Sequence, residues 1–281
     1  MTPTYQSGFY APGRGVPKYP ELWKGCVGAW APCLGPTGLT LRDWSRVRND
    51  GTLTSMDPAT DWAIGGGKYA LDFDGVNDCV LCGTDGAFRV GAKSLVVSLW
   101  VYASSSSFAS SPKVIFDTSG FNVTSGGIWI ALDNRGGLRA TAGVGAQIAT
   151  ASGGSRDVAA SNVFTSSASW KHISVFYKNG SARIFVNGVD ATTVEAMILS
   201  GTGDYVPKNA IVSLGAAVGG GNYFTGQIDD IRQDVIASDL RQLASRRGIA
   251  YELAPRKVYS LPATVGTRQY KLLRPSILRG A

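Results

Sequence analysis

The chain is 281 residues long, 44% apolar and only 17% charged, with 36 glycines. This is ample apolar material for a buried core, and the glycine-rich, charge-poor balance predicts many short strands joined by tight turns rather than a helical protein. The net charge of +7 belongs to the C-terminus: residues 241–281 carry nine basic side chains against Glu252, so an acidic partner is expected there, while the rest of the chain is close to neutral. No stretch reaches the roughly 18 uninterrupted apolar residues of a membrane helix, and the N-terminus lacks the apolar segment of a secretory signal. A soluble protein without a membrane partner is expected.

Residues 1–24, with "APGRGVPKYPELW", are Pro-rich, show neither helical nor strand period, and read as an extended arm. From 25 to 237 short β-type runs follow one another, among them "GCVGAWA", "YALDFDG", "CVLCG", "SLVVSLWVYA", "KVIFDTS", "GIWIALD" and "YFTGQIDDIRQDV". Strands at such regular intervals, bounded by Gly, Asn, Asp and Ser, predict an all-β, two-sheet antiparallel sandwich of jelly-roll type. In "FYKNGSARIFVNGV" the Asn179-Gly180 and Asn187-Gly188 dipeptides tolerate positive φ and predict a meander. "SDLRQLASRRG" predicts one short helix near 239–247, with Ser238 as cap and Gly248 as stop. The rest of 238–281 is again Pro-punctuated and reads as an extended, basic arm.

Candidate chemistry is sparse. Asp229 and Asp230 are adjacent in "FTGQIDDIRQ", where strand alternation turns them apart, with Ile231 on the face of Asp229. Glycosidase carboxylates must instead converge on one bond, so hydrogen bonds to backbone or to Arg232 are the expected role. The chain has only three glutamates, Glu21, Glu195 and Glu252. "LDFDGVND" is the better cation candidate: Asp72 and Asp74 share a strand face, and Asn77 and Asp78 follow in a turn, so their oxygens could converge on Ca²⁺. Cys79 and Cys82 have CxxC spacing, but two further zinc ligands would have to come from Cys26 and Cys33, since His172 is the one histidine. Small apolar strand residues are the simpler reading, with a disulfide or a four-cysteine zinc site left open. Trp100 and Trp129 sit in strongly apolar strands and are expected in the core; Trp23, Trp44 and Trp62 lie nearer loops and are candidate sugar platforms, Trp44 and Trp62 above all.

The runs "GCVGAWAP", "LRDWSRVRNDGTLTS", "ALDFDGVNDCV", "SLWVYA", "WKHISVFYKNGSARIFVNGV" and "FTGQIDDIRQ", in that order, resemble the LamG-like jelly rolls of the concanavalin A-like lectin and glucanase superfamily. The likeness covers about 25–237. It implies two sheets packed face to face, ligands at the loop rim or on the concave sheet, and often one Ca²⁺ at a rim; the E-x-D-x-E strand of its glucanase branch is missing here. "GAWAPCLGPTGLTLRD" and the trailing "LASRRGIAYELAPRK" are further similar to domains of bacteriophage virion structural proteins.

These features together predict a non-enzymatic virion protein, a capsid decoration or cement protein on the particle exterior. Its arms would grip the capsid or neighbouring copies through Arg256, Lys257, Arg268, Tyr270, Lys271 and Arg274, where basic and aromatic anchors alternate. The expected assembly is a homo-oligomer on a particle, with no nucleic-acid partner and no required cofactor. The alternative is a glycan-binding module that touches host polysaccharide, or a tail or fibre component; a glycoside hydrolase has the least support.

Overall fold

The computed structural model describes residues 23, 25–45, 47–65, 68–83, 94–109, 111–120, 123, 126–136, 140–178, 180–198, 203–208 and 211–235. The predicted helix near 239–247, and both arms apart from Trp23, lie outside the described residues, as do the six arm anchors from Arg256 to Arg274.

The described strands are, in chain order, β1 (Cys26–Trp30), β2 (Thr40–Leu41), β3 (Gly51–Thr54), β4 (Trp62–Gly65), β5 (Lys68–Asp74), β6 (Cys79–Cys82), β7 (Ser94–Ala103), β8 (Lys113–Asp117) and β9 (Ile128–Asp133). They continue with β10 (Gly143–Ala149), β11 (Ser155–Ala160), β12 (Ser169–Lys178), β13 (Ser181–Val186), β14 (Val189–Asp190), β15 (Val194–Ile198), β16 (Val212–Leu214) and β17 (Thr225–Asp234). The first sheet has the order β14-β13-β12-β7-β17-β5-β4, with β1 also paired to β17; the second runs β15-β11-β10-β9-β8-β16-β6-β3-β2. The predicted all-β antiparallel sandwich is the observed fold.

Alternation explains the core between the sheets. In β7, Leu95, Val97, Leu99, Val101 and Ala103 face inward, and Ile173, Val175 and Tyr177 of β12 meet them from the next strand. Each such side chain, fully withdrawn from water, stabilises the fold by ~1.5–3 kcal/mol. The same parity turns Val96, Ser98, Trp100 and Tyr102 to the outer face, so Trp100 is half-buried there rather than in the core. Trp129 is buried as expected, in a smaller cluster with Val114, Val123, Ala131, Ala149 and Ala217. The meander is present: Lys178 pairs with Ser181 and Val186 with Val189, and the second turn holds Asn187 at φ 52° and Gly188 at 82°, the left-handed pair that an Asn-Gly hairpin needs.

One irregularity decides how β17 presents its carboxylates. Against β7, Asp229 is opposite Trp100 but Arg232 is opposite Ser98, so one extra residue is inserted, and Asp230 takes it up at φ 53°. The bulge reverses the alternation. Ile228 and Ile231 therefore both enter the core, and Asp229, Arg232 and Asp234 are left on the outer side, which corrects the expectation that Ile231 shares a face with Asp229.

Candidate functional site

A cleft forms where the segment after β1 turns back over the edge of the first sheet. Its scaffold is the buried carboxylate of Asp43, which accepts the Ala29 N–H at 2.9 Å and the Ser45 N–H, Ser45 O–H and Asn49 N–H, each at 2.8 Å. Burial pushes the Asp43 pKa up, and these donors work against that shift. The carboxylate thus ties β1 to the 42–49 loop and sets the position of Arg42 and Trp44 on either side of it. On the facing wall the Trp62 indole N–H donates to the Gly38 carbonyl at 2.9 Å, holding the 35–38 turn to β4.

Between these walls lies a cavity of about 200 Å³ lined by Leu34, Gly35, Pro36, Thr37, Arg42, Trp44 and Trp62, with Ala31 and Leu41 at the base. This is below the ~300–1,000 Å³ of drug-sized pockets and suits a single small ring. Trp44 is half-buried, and the exposed Arg42 guanidinium stands over its ring at 5.6 Å. Trp62 is not the loop platform expected of it. It lies on β4 opposite Leu71, its ring belongs to the main core, and at 6% exposure it presents an edge to the cleft. Trp23 lies behind the cleft rather than in it, buried with Cys26, Ala29, Ala31 and Cys33 in a cluster that Leu34 and Trp44 pack against, under the Arg232 guanidinium at 5.5 Å.

The adjacent carboxylates are both buried. Asp229, fully buried, pairs with Lys68 Nζ at 2.5 Å and accepts the Cys33 N–H at 2.9 Å. Lys68 Nζ sits over the rings of Trp100 (5.4 Å) and Trp170 (5.6 Å), and Trp100 in turn packs on His172 at 5.2 Å. Burial pulls the Lys68 pKa down, but the Asp229 carboxylate more than offsets it, so the ammonium is held above its usual value. Arg232, offered as a partner of the two carboxylates, is bonded to Asp234, at 2.7 Å and 2.8 Å. Nothing in this arrangement opens two carboxylates toward one bond.

The family model for the concanavalin A-like lectin/glucanases superfamily matches residues 74–233, more than half of the chain. The chain belongs to this superfamily. Among solved structures, domain 4 of the GH43 extracellular arabinanase AbnA from Geobacillus stearothermophilus, in complex with arabinotriose, is similar at 18% identity and a TM-score of 0.50, covering 78% of this chain and 98% of that one. The binding domain of Paraclostridial Mosquitocidal Protein 1 gives 13% and 0.54, over 79% of this chain and 52% of that one. The botulinum neurotoxin serotype D binding domain gives 10% and 0.54, over 78% and 50%, so this chain spans about half of each toxin domain. No curated protein matches the chain in sequence.

The Ca²⁺ often seen in this superfamily finds a poor donor set in "LDFDGVND". Asp74 Oδ1 accepts the Val76 N–H at 2.7 Å and caps its own turn, Asp78 Oδ2 accepts the Asp74 N–H at 2.9 Å, and Asp72 lies on β5 opposite Gln227 of β17. Asn77 is exposed in the same turn. Among the described residues no three His, Cys, Asp or Glu side chains gather around one point. Thermal midpoints in Ca²⁺ and in chelator are expected to coincide; a rise with Ca²⁺ that Asp74→Ala abolishes would restore the site. The cysteines are equally dispersed: Cys26 and Cys33 pack beside the first sheet and Cys79 and Cys82 lie on β6 of the second, all four buried and free, with burial raising each thiol's pKa. A four-cysteine zinc site is therefore not assembled.

The sequence pointed to Trp44 but passed over the Lys68, Trp100 and Trp170 cluster. Its signal was present in "SLVVSLWVYA", where period two sets Trp100 and Tyr102 against Leu99 and Val101.

Proposed function

We propose that this protein is a glycan-binding module whose cleft takes one sugar ring against Trp44. The observation that carries the reading is the meeting of a half-buried Trp44, capped by Arg42, with the edge of Trp62 in a concavity sized for a single ring. Sugars offer an apolar C–H face to an aromatic ring and hydroxyls to a neighbouring guanidinium and backbone carbonyls. The similarity to a domain held in complex with arabinotriose, and to toxin binding domains, supports the same reading.

Binding without catalysis is part of the proposal. Its support is that Asp229 is fully buried, paired with Lys68 and bonded to the Cys33 amide, so its carboxylate is withdrawn from any substrate. Attachment to a virion through the arms rests on residues outside those described, and the sandwich and its relatives do not bear on it.

Glycan-array binding followed by titration calorimetry tests the cleft. Trp44→Ala is expected to weaken the best ligand by roughly tenfold or more, and Arg42→Ala by less, at unchanged melting temperature. A wild-type protein that binds no glycan, or a Trp44→Ala variant with full affinity, overturns the proposal.

A further inference from the structure

The outer face of the first sheet carries a second arrangement that neither the cleft nor the core explains. Cross-strand register places Trp170 of β12 opposite Tyr102 of β7, Tyr102 opposite Gln227 of β17, and Gln227 opposite Asp72 of β5. The four side chains lie on the outer parity of their strands and all are half-buried. Trp170 and Tyr102 have ring centroids 5.5 Å apart at 44°, forming a stepped aromatic surface, and Gln227 faces Asp72 across the neighbouring strands, near enough to work against the burial that raises the Asp72 pKa.

We propose that this row is an extended sugar-chain surface that binds a neutral oligosaccharide across the sheet, an inference that rests on the glycan-binding reading above. Three strand spacings separate Trp170 from Asp72, about 14 Å, which is the length of a short chain rather than of one ring. The chemistry alternates as such a chain requires, rings for the C–H faces at one end and an amide and a carboxylate for the hydroxyls at the other. Charge selects the occupant. The cation beside the row, Lys68, is already matched by Asp229, and Asp72 has Asp61 close enough to raise its pKa in addition to the effect of burial. A sulfated or uronic chain would meet unbalanced negative charge there, whereas a neutral one would not. The row is also continuous with the cleft edge: the Asp72 N–H donates to the Asp61 carbonyl at 2.8 Å, next to Trp62 at the cleft wall.

The test is a length series. Mono-, di-, tri- and tetrasaccharides of the cello-, xylo- and arabino- series are titrated calorimetrically into the full chain. In at least one series the wild type is expected to gain about tenfold in affinity from the shortest to the longest member. Trp170→Ala and Tyr102→Ala should each flatten that gain and leave monosaccharide binding, and its loss in Trp44→Ala, unchanged. Gln227→Ala, which removes no ring from the sheet, should halve the gain or more and guards against a folding effect, with circular dichroism and melting as controls. Sugar binding that does not depend on length, or a length dependence that survives all three changes, overturns the row while leaving the cleft intact. No binding to any member by the wild type overturns both. If these variants lose a protein ligand and keep the sugar series, the face belongs to a protein partner and the inference falls.

Discussion

Replacing Lys68 with methionine is expected to destabilise the protein by about 3–5 kcal/mol, the usual cost of leaving one member of a buried ion pair alone. The two partners are not equivalent. Lys68 keeps 16% of its side-chain surface, so an unpaired ammonium can still reach water, whereas Asp229 has none and would retain only the Cys33 N–H. Asp229→Asn, which preserves an acceptor for that amide and leaves Lys68 over two indoles, should therefore cost less than Lys68→Met. The double change to methionine and leucine should recover part of the loss, since it removes the uncompensated charge. Urea unfolding of the four proteins measures the order. Equal losses for the two single variants, or a Lys68→Met variant within 1 kcal/mol of wild type, roughly the value of a surface pair, would mean that the pair is solvated and structurally idle.

The same pair shows where sequence reasoning reached and where it stopped. The sandwich and the meander follow from period two and Asn-Gly turns, because those signals are local to a strand or hairpin. The partner of Asp229 was not legible: Lys68 is some 160 positions earlier in the chain, and only the pairing of β5 with β17 brings the two together. The bulge at Asp230 was also hidden, since one inserted residue leaves composition unchanged while reversing every side chain after it. For the cleft, loop placement singled out Trp44 and Trp62, and both line it; Trp62 does so from a short strand that takes its inward direction from Leu71 on the neighbouring strand. The calcium candidate shows how one turn can serve two purposes. Asp and Asn in a turn satisfy local backbone donors as readily as a metal, and here Asp74 and Asp78 do so.

Acid sensitivity traced to a single imidazole is the second large effect expected. His172 is the one histidine of the chain, is 7% exposed, and packs on Trp100. Burial lowers its pKa from 6.5 to about 4, and the Lys68 ammonium pushes in the same direction. The folded state thus holds the neutral ring in a range where the unfolded chain has already taken up a proton. Between pH 6.5 and about 4 the unfolded state binds more protons, so stability falls as pH drops, by about 1.4 kcal/mol per unit at most and about 3 kcal/mol across the window. Asp43, Asp72 and Asp78 act in the opposite sense: burial raises their pKa values, so the folded state gains protons first and is favoured as pH falls toward 3.8. The wild-type curve is the sum of both trends, and the difference from His172→Phe isolates the first. That variant keeps a ring against Trp100 and leaves the backbone bonds of residue 172 to Asn187 in place. Its stability should exceed that of wild type increasingly below pH 6.5, and the imidazole C–H resonances of the wild type should titrate near pH 4. A midpoint at 6.5 or above, or parallel pH profiles for the two proteins, would show that the ring is charged within the fold and that Lys68 and burial do not govern it.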